Sequence, residues 1–314
     1  MDQTDPRIHV TLDHLRSLQG GARGLSFLPR QNSASVLNGR HSSRLRGRGL
    51  NFEEMRDYLP GDDIRSIDWK ATARTGSPHV RVFTEERDRP VLLVVDQRMS
   101  MFFGTTERMK SVTAAEAAAI TAFRVRSQGD RIGGIVFGDD ELWTVEPRSS
   151  ARALNTLMHN IVAANQSLES GRAVPANRGW FNEVLAKVVG VAHHDHLVVI
   201  FSDFAGLDDI SEKRLGNLSA HNDVILVLVH DRAAAEFAAD ERLIISDGGM
   251  QAELQAQTRH IKEAVQSFSR DRLERIYALQ GKVNLSVLPL ESTQDTLAQM
   301  RRLMGAAQSA RRVR

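Results

Sequence analysis

The sequence contains no cysteine. Disulfide staples, cysteine metal sites and cysteine nucleophiles are excluded, and a reducing compartment is the expected setting. Long apolar runs are missing too. The longest, such as Val224 to Val229, fall far short of the ~20 residues that a membrane-spanning helix needs. The opening residues, MDQTDPRIHV, lack the basic-then-apolar order of a signal peptide. A large charge excess is absent: the formal balance is only +2, which by itself predicts no nucleic-acid partner. Arginines do cluster at Arg40, Arg44, Arg46 and Arg48 and in the closing RRVR, but no aromatic residues interleave with them. They are expected to be solvated or paired, not to track a phosphate backbone. No G-x-x-x-x-G-K-[ST] occurs, so the chain shows no phosphate loop of its own. These absences together predict a cytoplasmic protein without a membrane anchor.

What is present is ordinary for a globular protein: 41% hydrophobic and 25% charged residues in a chain of 314. That length suits one large domain or two modest ones. Residues 1–48 read as a short helix, Thr11 to Leu18, followed by a Gly-, Ser-, Asn- and Arg-rich arm. Residues 49–88 form a densely charged block. Within it Leu50 to Leu59 reads as a short helix, with Asn51 as cap, Glu54 for a capping box, and Leu50 and Met55 at staple spacing. A short turn over Ile64 to Ile67 and a strand over Pro78 to Glu85 follow. The block has too few apolar residues for a core of its own, so it is expected to pack on the main domain.

From Arg89 the pattern alternates. Strands are expected over Val91 to Asp96, Arg131 to Phe137, His196 to Phe201, Val224 to His230, Arg242 to Ser246 and Lys282 to Leu288. Glu141 to Val145 follows a tight turn and reads as an antiparallel edge. Helices are expected over Glu107 to Gln128, from Ser149 or Ser150 to Ala164, and over Gly179 to Ala192, Leu207 to Ala220, Ala252 to Leu279 and Thr293 to Met304. Leu254, Ile261, Val265 and Phe268 give the Ala252 helix a core-facing stripe. Such alternation predicts the α/β class: an open, mostly parallel sheet over residues 89–304 with helices on both faces, and a frayed tail over 305–314.

Open α/β sheets place their chemistry at the carboxyl ends of the strands. Three features fall at such ends or at neighbouring helix caps: Asp96-Gln97-Arg98-Met99-Ser100, Ser149-Ser150, and Ser202-Asp203. Two carboxylates and several hydroxyls would suit a hard cation such as Mg²⁺. The other reading pairs Asp96 and Asp203 with Arg98. His193, His194 and His196 straddle a helix end and a strand start, so their side chains should diverge in a loop.

Two resemblances follow from these residues. DQRMSM resembles the Asp-x-Ser-x-Ser metal motif of von Willebrand factor A domains, with Asp203 matching the later aspartate. Gly49, Phe52, Arg56, Tyr58, Gly61-Asp62-Asp63, Arg65, Ile67-Asp68-Trp69, Ala73-Arg74 and Glu85 resemble the bacterial family called domain of unknown function 58. The resemblance implies a von Willebrand A-like domain working with a MoxR-type AAA+ ATPase on client proteins. It also implies a metal site of Asp96, Ser100, Ser149, Ser150 and Asp203. Arg98 stands where that motif has a ligating serine. A guanidinium offers no lone pair and is permanently charged, so the site reads as degenerate.

The block around Trp69 has two readings. One is a docking surface of Arg56, Asp62, Asp63, Arg65, Asp68, Trp69 and Arg74, since tryptophan and arginine are favoured at interface centres. The other is a salt-bridged wrap with Trp69 buried. Function follows the same split. The leading expectation is a non-enzymatic interaction module, with no catalytic residues, acting as adaptor or co-chaperone of the ATPase in assembly, activation or metal insertion. The alternative is a Mg-dependent phosphohydrolase with Asp96 as nucleophile and Asp139, Asp140 and Asp203 near the metal.

Overall fold

The computed structural model describes residues 5–22, 50–59, 64–85, 90–172, 177, 179–231, 242–246, 251–255 and 272–305. The chain divides into two compact units, Met1–Arg30 with Arg89–Arg314, and Gln31–Asp88.

The larger unit is built on a six-stranded sheet. Its strands are β3 (Pro90–Asp96), β4 (Arg131–Phe137), β5 (Leu142–Arg148), β6 (Leu197–Ser202), β7 (Asp223–His230) and β10 (Leu285–Glu291), in the order β10-β7-β6-β3-β4-β5. All neighbours are parallel except β5, which returns antiparallel on β4. The expected α/β class, the mostly parallel sheet and the antiparallel edge are all observed. Strand β3 is buried along nearly its whole length because it lies mid-sheet with both faces covered.

The two-residue period of the strands sorts the core. Val91, Leu93 and Val95 join one hydrophobic cluster with α4 (Lys110–Ser127), α5 (Ala151–Gln166) and α9 (Thr296–Gly305). Leu92 and Val94 join a second with α6 (Trp180–Val191), α7 (Asp209–His221) and the helix α8 over residues 272–282. Helices therefore cover both faces. Each such aliphatic side chain, fully buried, contributes about 1.5–3 kcal/mol. Helix α4 is buried on every side from Ser111 to Phe123, between β3 and a cover of α1 (Leu12–Ser17), α2 (Gln19–Ala22), α5 and α9. Its alanines explain that position: small side chains let it lie close on all sides.

Thr11 caps α1 by accepting from the His14 N–H at 3.2 Å. In β4 a Cβ on Gly134 would meet Leu93 O at 2.9 Å and Leu157 Cδ1 at 2.6 Å. Glycine is needed there for the close approach of strand and helix.

Two expected helices are corrected. Residues Leu50–Asp57 form strand β1, paired antiparallel with β2 (His79–Glu85). The helix-start signals at Asn51 and Glu54 were overridden by long-range strand pairing. Residues Gln251–Gln255 form strand β9, paired with β8 (Arg242–Ser246), and not the start of a helix. The sequence between them, Asp247-Gly248-Gly249, is rich in turn residues, and the pairing of the two strands outweighs helix periodicity. Only 272–282 of the expected long helix is described as helical, and Ile261, Val265 and Phe268 lie outside the described residues. So do the arginine arm, Pro60 to Asp63, and the tail from residue 306.

In the smaller unit, α3 (Trp69–Thr75) follows a 3-10 turn over Ile64–Ser66. Asp68 caps α3, accepting from the N–H groups of Lys70 and Ala71 at 3.0 and 3.1 Å. Gly76, at φ 80°, closes the helix in the left-handed region that suits glycine. Ala71 of α3 and Val80 of β2 are buried.

Candidate functional site: an ion-paired carboxyl edge

The carboxyl ends of β3, β4 and β6 bring Asp96, Asp139 and Asp203 to one edge of the sheet. Asp96 ends β3, and the chain then turns through Gln97 and Arg98 into a 3-10 turn, Met99–Met101. Asp203 follows β6. Asp139 lies in the tight turn between β4 and β5. All three are buried.

Asp96 is fully engaged. Its Oδ1 accepts from the Arg98 backbone N–H and from Arg98 Nε, both at 3.0 Å. Its Oδ2 accepts from Arg98 Nη2 at 2.7 Å and from Ser202 Oγ at 2.6 Å. The Arg98–Asp96 pair is thus bidentate, the strong form of ion pair. The guanidinium also donates from Nη1 to Ala205 O at 3.0 Å. Its Cζ lies 5.4 and 5.0 Å from the ring centres of Phe137 and Phe181, within cation–π range.

Asp203 is held by other cations. Its Oδ2 accepts from Lys110 Nζ at 2.6 Å and lies 3.5 Å from Arg272 Nη1. Its Oδ1 accepts from the Ala205 N–H at 3.0 Å and from Ser100 Oγ at 3.4 Å. Burial pushes the Asp203 carboxyl up. The charges of Lys110, Arg272 and Arg98 outweigh that and hold it well below the usual carboxylate range. Asp139 accepts from the Met99 N–H at 3.0 Å, yet burial prevails and pushes its carboxyl up.

The candidate metal residues therefore separate into two groups. Asp96, Ser100 and Asp203 share the edge, with Arg98 between them. Ser149 and Ser150 do not. Strand β5 runs antiparallel, so Arg148 pairs with Ile132 at the start of β4 while Leu142 pairs with Phe137 at its end. Both serines sit at the opposite edge of the sheet, and the expectation that they join the aspartates is corrected. Ser150 instead caps α5, its Oγ accepting from the Ala153 N–H at 3.3 Å.

A divalent ion at this edge does not fit the residues present. A carboxylate offers about four lone-pair sites. Asp96 has four donors on its two oxygens, and Asp203 has Lys110 and Arg272 on one oxygen and two donors on the other. Among the described residues no three His, Cys, Asp or Glu side chains are grouped so as to hold an ion. The same saturation leaves Asp96 no lone pair with which to attack a phosphorus atom. Asp140 turns to Arg172 instead, 3.4 Å away. His194 and His196 lie at the start of β6, far from Asp203, in contacts with Asp195 and with the His194 carbonyl.

Sequence reasoning missed two members of this edge, Lys110 and Arg272, and gave no role to a third, Gln97. Lys110 begins α4 and Arg272 begins the described part of α8, and neither stands out from its surroundings in the sequence. Gln97 is a hub: its Nε2 donates to Ser111 O and its Oε1 accepts from Asn165 Nδ2, both at 3.0 Å. A buried glutamine directly after a strand-end aspartate was the available signal.

In the smaller unit, Trp69 is 67% exposed and Ile64 62% exposed, which corrects the expectation of a buried Trp69. Arg65, Lys70 and Arg74 are also exposed. Arg56 lies on β1, its side chain outside the described residues, as are Asp62 and Asp63.

An open, mostly parallel α/β sheet with a neutralised acidic carboxyl edge is the class of protein these residues define. The chain belongs to the family described as Protein of unknown function DUF58, whose model matches residues 54–275. It is 30% identical over 232 residues to Uncharacterized protein Mb1516 of Mycobacterium bovis, covering 73% of this chain and 70% of that one. The same figures hold for Uncharacterized protein Rv1480 of Mycobacterium tuberculosis. Among solved structures it is similar to the SpRpn10 VWA domain, at 13% identity and a TM-score of 0.34, over 68% of this chain and 93% of that one. It is also similar to proximal thread matrix protein 1 from the mussel byssus, at 12% identity and a TM-score of 0.30. That match spans 46% of this chain and only 38% of the mussel protein. Both likenesses are too distant to bear on the site. Among the described residues no helix is long and apolar enough to cross a membrane.

Proposed function

We propose that the chain is a non-enzymatic protein-interaction module of the cytoplasm. It acts as an adaptor of a MoxR-type AAA+ ATPase in the assembly, activation or metal insertion of client proteins. The observation that carries the reading is Trp69, two-thirds exposed at the start of α3 in a stretch of chain where Ile64, Arg65, Lys70 and Arg74 are exposed too. Large exposed apolar side chains cost solubility unless a partner covers them, and tryptophan and arginine dominate the energetics of interfaces. A surface of that kind favours an acidic partner face with an apolar pocket. The ion-paired sheet edge supports the non-enzymatic part of the reading, because its carboxylates are already committed to fixed cations.

The test is affinity purification of the tagged wild-type chain and of Trp69→Ala from the native cell, followed by reconstitution with the purified ATPase. The wild type should retain an AAA+ ATPase, and Trp69→Ala should weaken that complex at least tenfold while melting at the wild-type temperature. The chain alone should turn over neither ATP nor a phosphomonoester. Absence of any AAA+ ATPase above the control, or equal binding by Trp69→Ala, refutes the reading.

A further inference from the structure

We infer that the basic side chains of Arg98, Lys110 and Arg272 take the place of a divalent cation at the carboxyl edge of the sheet, so that the edge is held together without metal.

Charge balance is the first argument. Asp96, Asp139 and Asp203 supply three negative charges within a few residues of the strand ends, and all three are buried. Like charges so placed repel, and something positive must sit among them for the sheet edge to be stable. Arg98, Lys110 and Arg272 supply three positive charges. These cations already match the carboxylates in number, and the burial that pushes the Asp139 carboxyl up leaves still less negative charge for an ion. A further double charge would be uncompensated in a site from which water is largely excluded, and burying an unpaired charge is strongly disfavoured.

Geometry is the second argument. Asp139, which accepts from the Met99 N–H, is one carboxylate and cannot hold an ion alone, so an entering ion must also take lone pairs from Asp96 or Asp203. At Asp96 it would displace a bidentate guanidinium and the Ser202 hydroxyl; at Asp203 it would displace Lys110. Each displaced cation would then remain in the same crowded edge, since Arg98 is also held by Ala205 O and by the rings of Phe137 and Phe181. Exchange would therefore lose several charge-assisted bonds to gain a few ligands.

The third argument is what the fixed cations do that an ion would also do. Arg98 ties the turn after β3 to the loop after β6 through Asp96 and Ala205 O. Lys110 ties the start of α4 to the same loop through Asp203, and Arg272 brings in α8. Four segments that come together only in the folded chain are braced across one edge. An ion would brace them only when bound; covalently attached cations do so always.

The experiment is a thermal melt of the full chain in EDTA and in saturating MgCl2 or MnCl2, with calorimetric titration of each ion. The wild type should show the same Tm in all three conditions and no binding heat. Arg98→Lys, which keeps the charge but not the fork, should lose less stability than Arg98→Met, which keeps the length but not the charge. A saturable rise in wild-type Tm with Mg²⁺, absent in Asp203→Asn, would overturn the inference. Equal losses for Arg98→Lys and Arg98→Met would overturn the claim that charge is what the edge needs. Either result leaves partner capture by the Trp69 surface unaffected, so the two readings fail separately.

Discussion

Glu116 offers a decisive test of how the larger unit is held together. It is a carboxylate inside α4, buried in an otherwise alanine-rich helix. It accepts from His14 Nε2 at 2.8 Å, from Arg108 Nη1 at 2.7 Å and from the Thr296 hydroxyl in a short bond. These three donors belong to α1, to the segment before α4 and to α9. One side chain therefore joins both ends of the described unit to its central helix. Burial pushes the Glu116 carboxyl up, but the bonds from His14 and Thr296 and the charge of Arg108 together hold it below its ordinary value. Replacing it with glutamine keeps the shape and removes the charge. Deleting one partner of a buried ion pair costs about 3–5 kcal/mol. Arg108 and His14 are partly reached by water, so they recover some hydration, and the expected loss is about 2–3 kcal/mol. For a unit of this size that is a fall in Tm of about 4–12 °C. Urea unfolding followed by circular dichroism measures it. The pH dependence adds a second readout. A carboxylate held below its unfolded value contributes stability that is full above that value and is lost as pH falls through the folded one. The wild type should thus lose part of its stability in acid that Glu116→Gln has already lost at neutral pH, and the two curves should converge as pH drops. A loss under about 0.5 kcal/mol at neutral pH, or curves that stay parallel into acid, refutes the argument.

Gly134→Ala should destabilise by about 1–3 kcal/mol, because its Cβ would press on the Leu93 carbonyl and on Leu157; chemical denaturation checks this. Ser150→Ala should cost about 0.5–2 kcal/mol as a lost helix cap and leave the response to Mg²⁺ unchanged, whereas a serine acting as ligand would alter that response.

The α/β class was legible because its signals are local and repeated. Val91 to Asp96 and Val224 to His230 read as buried strands from their own residues, and the alanines of α4 mark a helix without help from the rest of the chain. Strand β1 was not legible in that way. Its Asn51 and Glu54 carry a sound helix-start pattern, and only the partner strand about thirty residues on decides against it. Asp96, Arg98 and Asp203 could be found at strand ends, and the substitution of arginine for a hydroxyl was visible. The other two cations were not. Lys110 and Arg272 are unremarkable in sequence, and their meeting at Asp203 is set by how α4 and the described part of α8 lie against the sheet. The error over Ser149 and Ser150 has a similar origin. Their residue types were right for a ligand, but β5 runs the other way, and direction is a property of the sheet.

The loop after β6 shows why the edge is built from fixed charges. Phe204 has φ 55°, in the left-handed region that a bulky residue seldom occupies. Such a conformation costs about 1–3 kcal/mol and persists only where its surroundings over-determine it. Here they do so from three directions. Ser202 Oγ accepts from the Phe204 N–H at 2.8 Å while donating to Asp96. Asp203 Oδ1 accepts from the Ala205 N–H, and Arg98 takes the Ala205 carbonyl. The Phe204 ring, fully buried, stands edge-on to Phe181 at 6.2 Å, and Phe181 in turn lies under the Arg98 guanidinium. The strain is thus opposed by groups that all lead back to Asp96, Asp203 and Arg98. An ion in Arg98's place could hold the carboxylates, but it offers no N–H to the Ala205 carbonyl and no planar face to the Phe181 ring. Arginine at this position therefore shapes the loop as well as balancing its charge, a double role that neither a serine ligand nor its metal can fill.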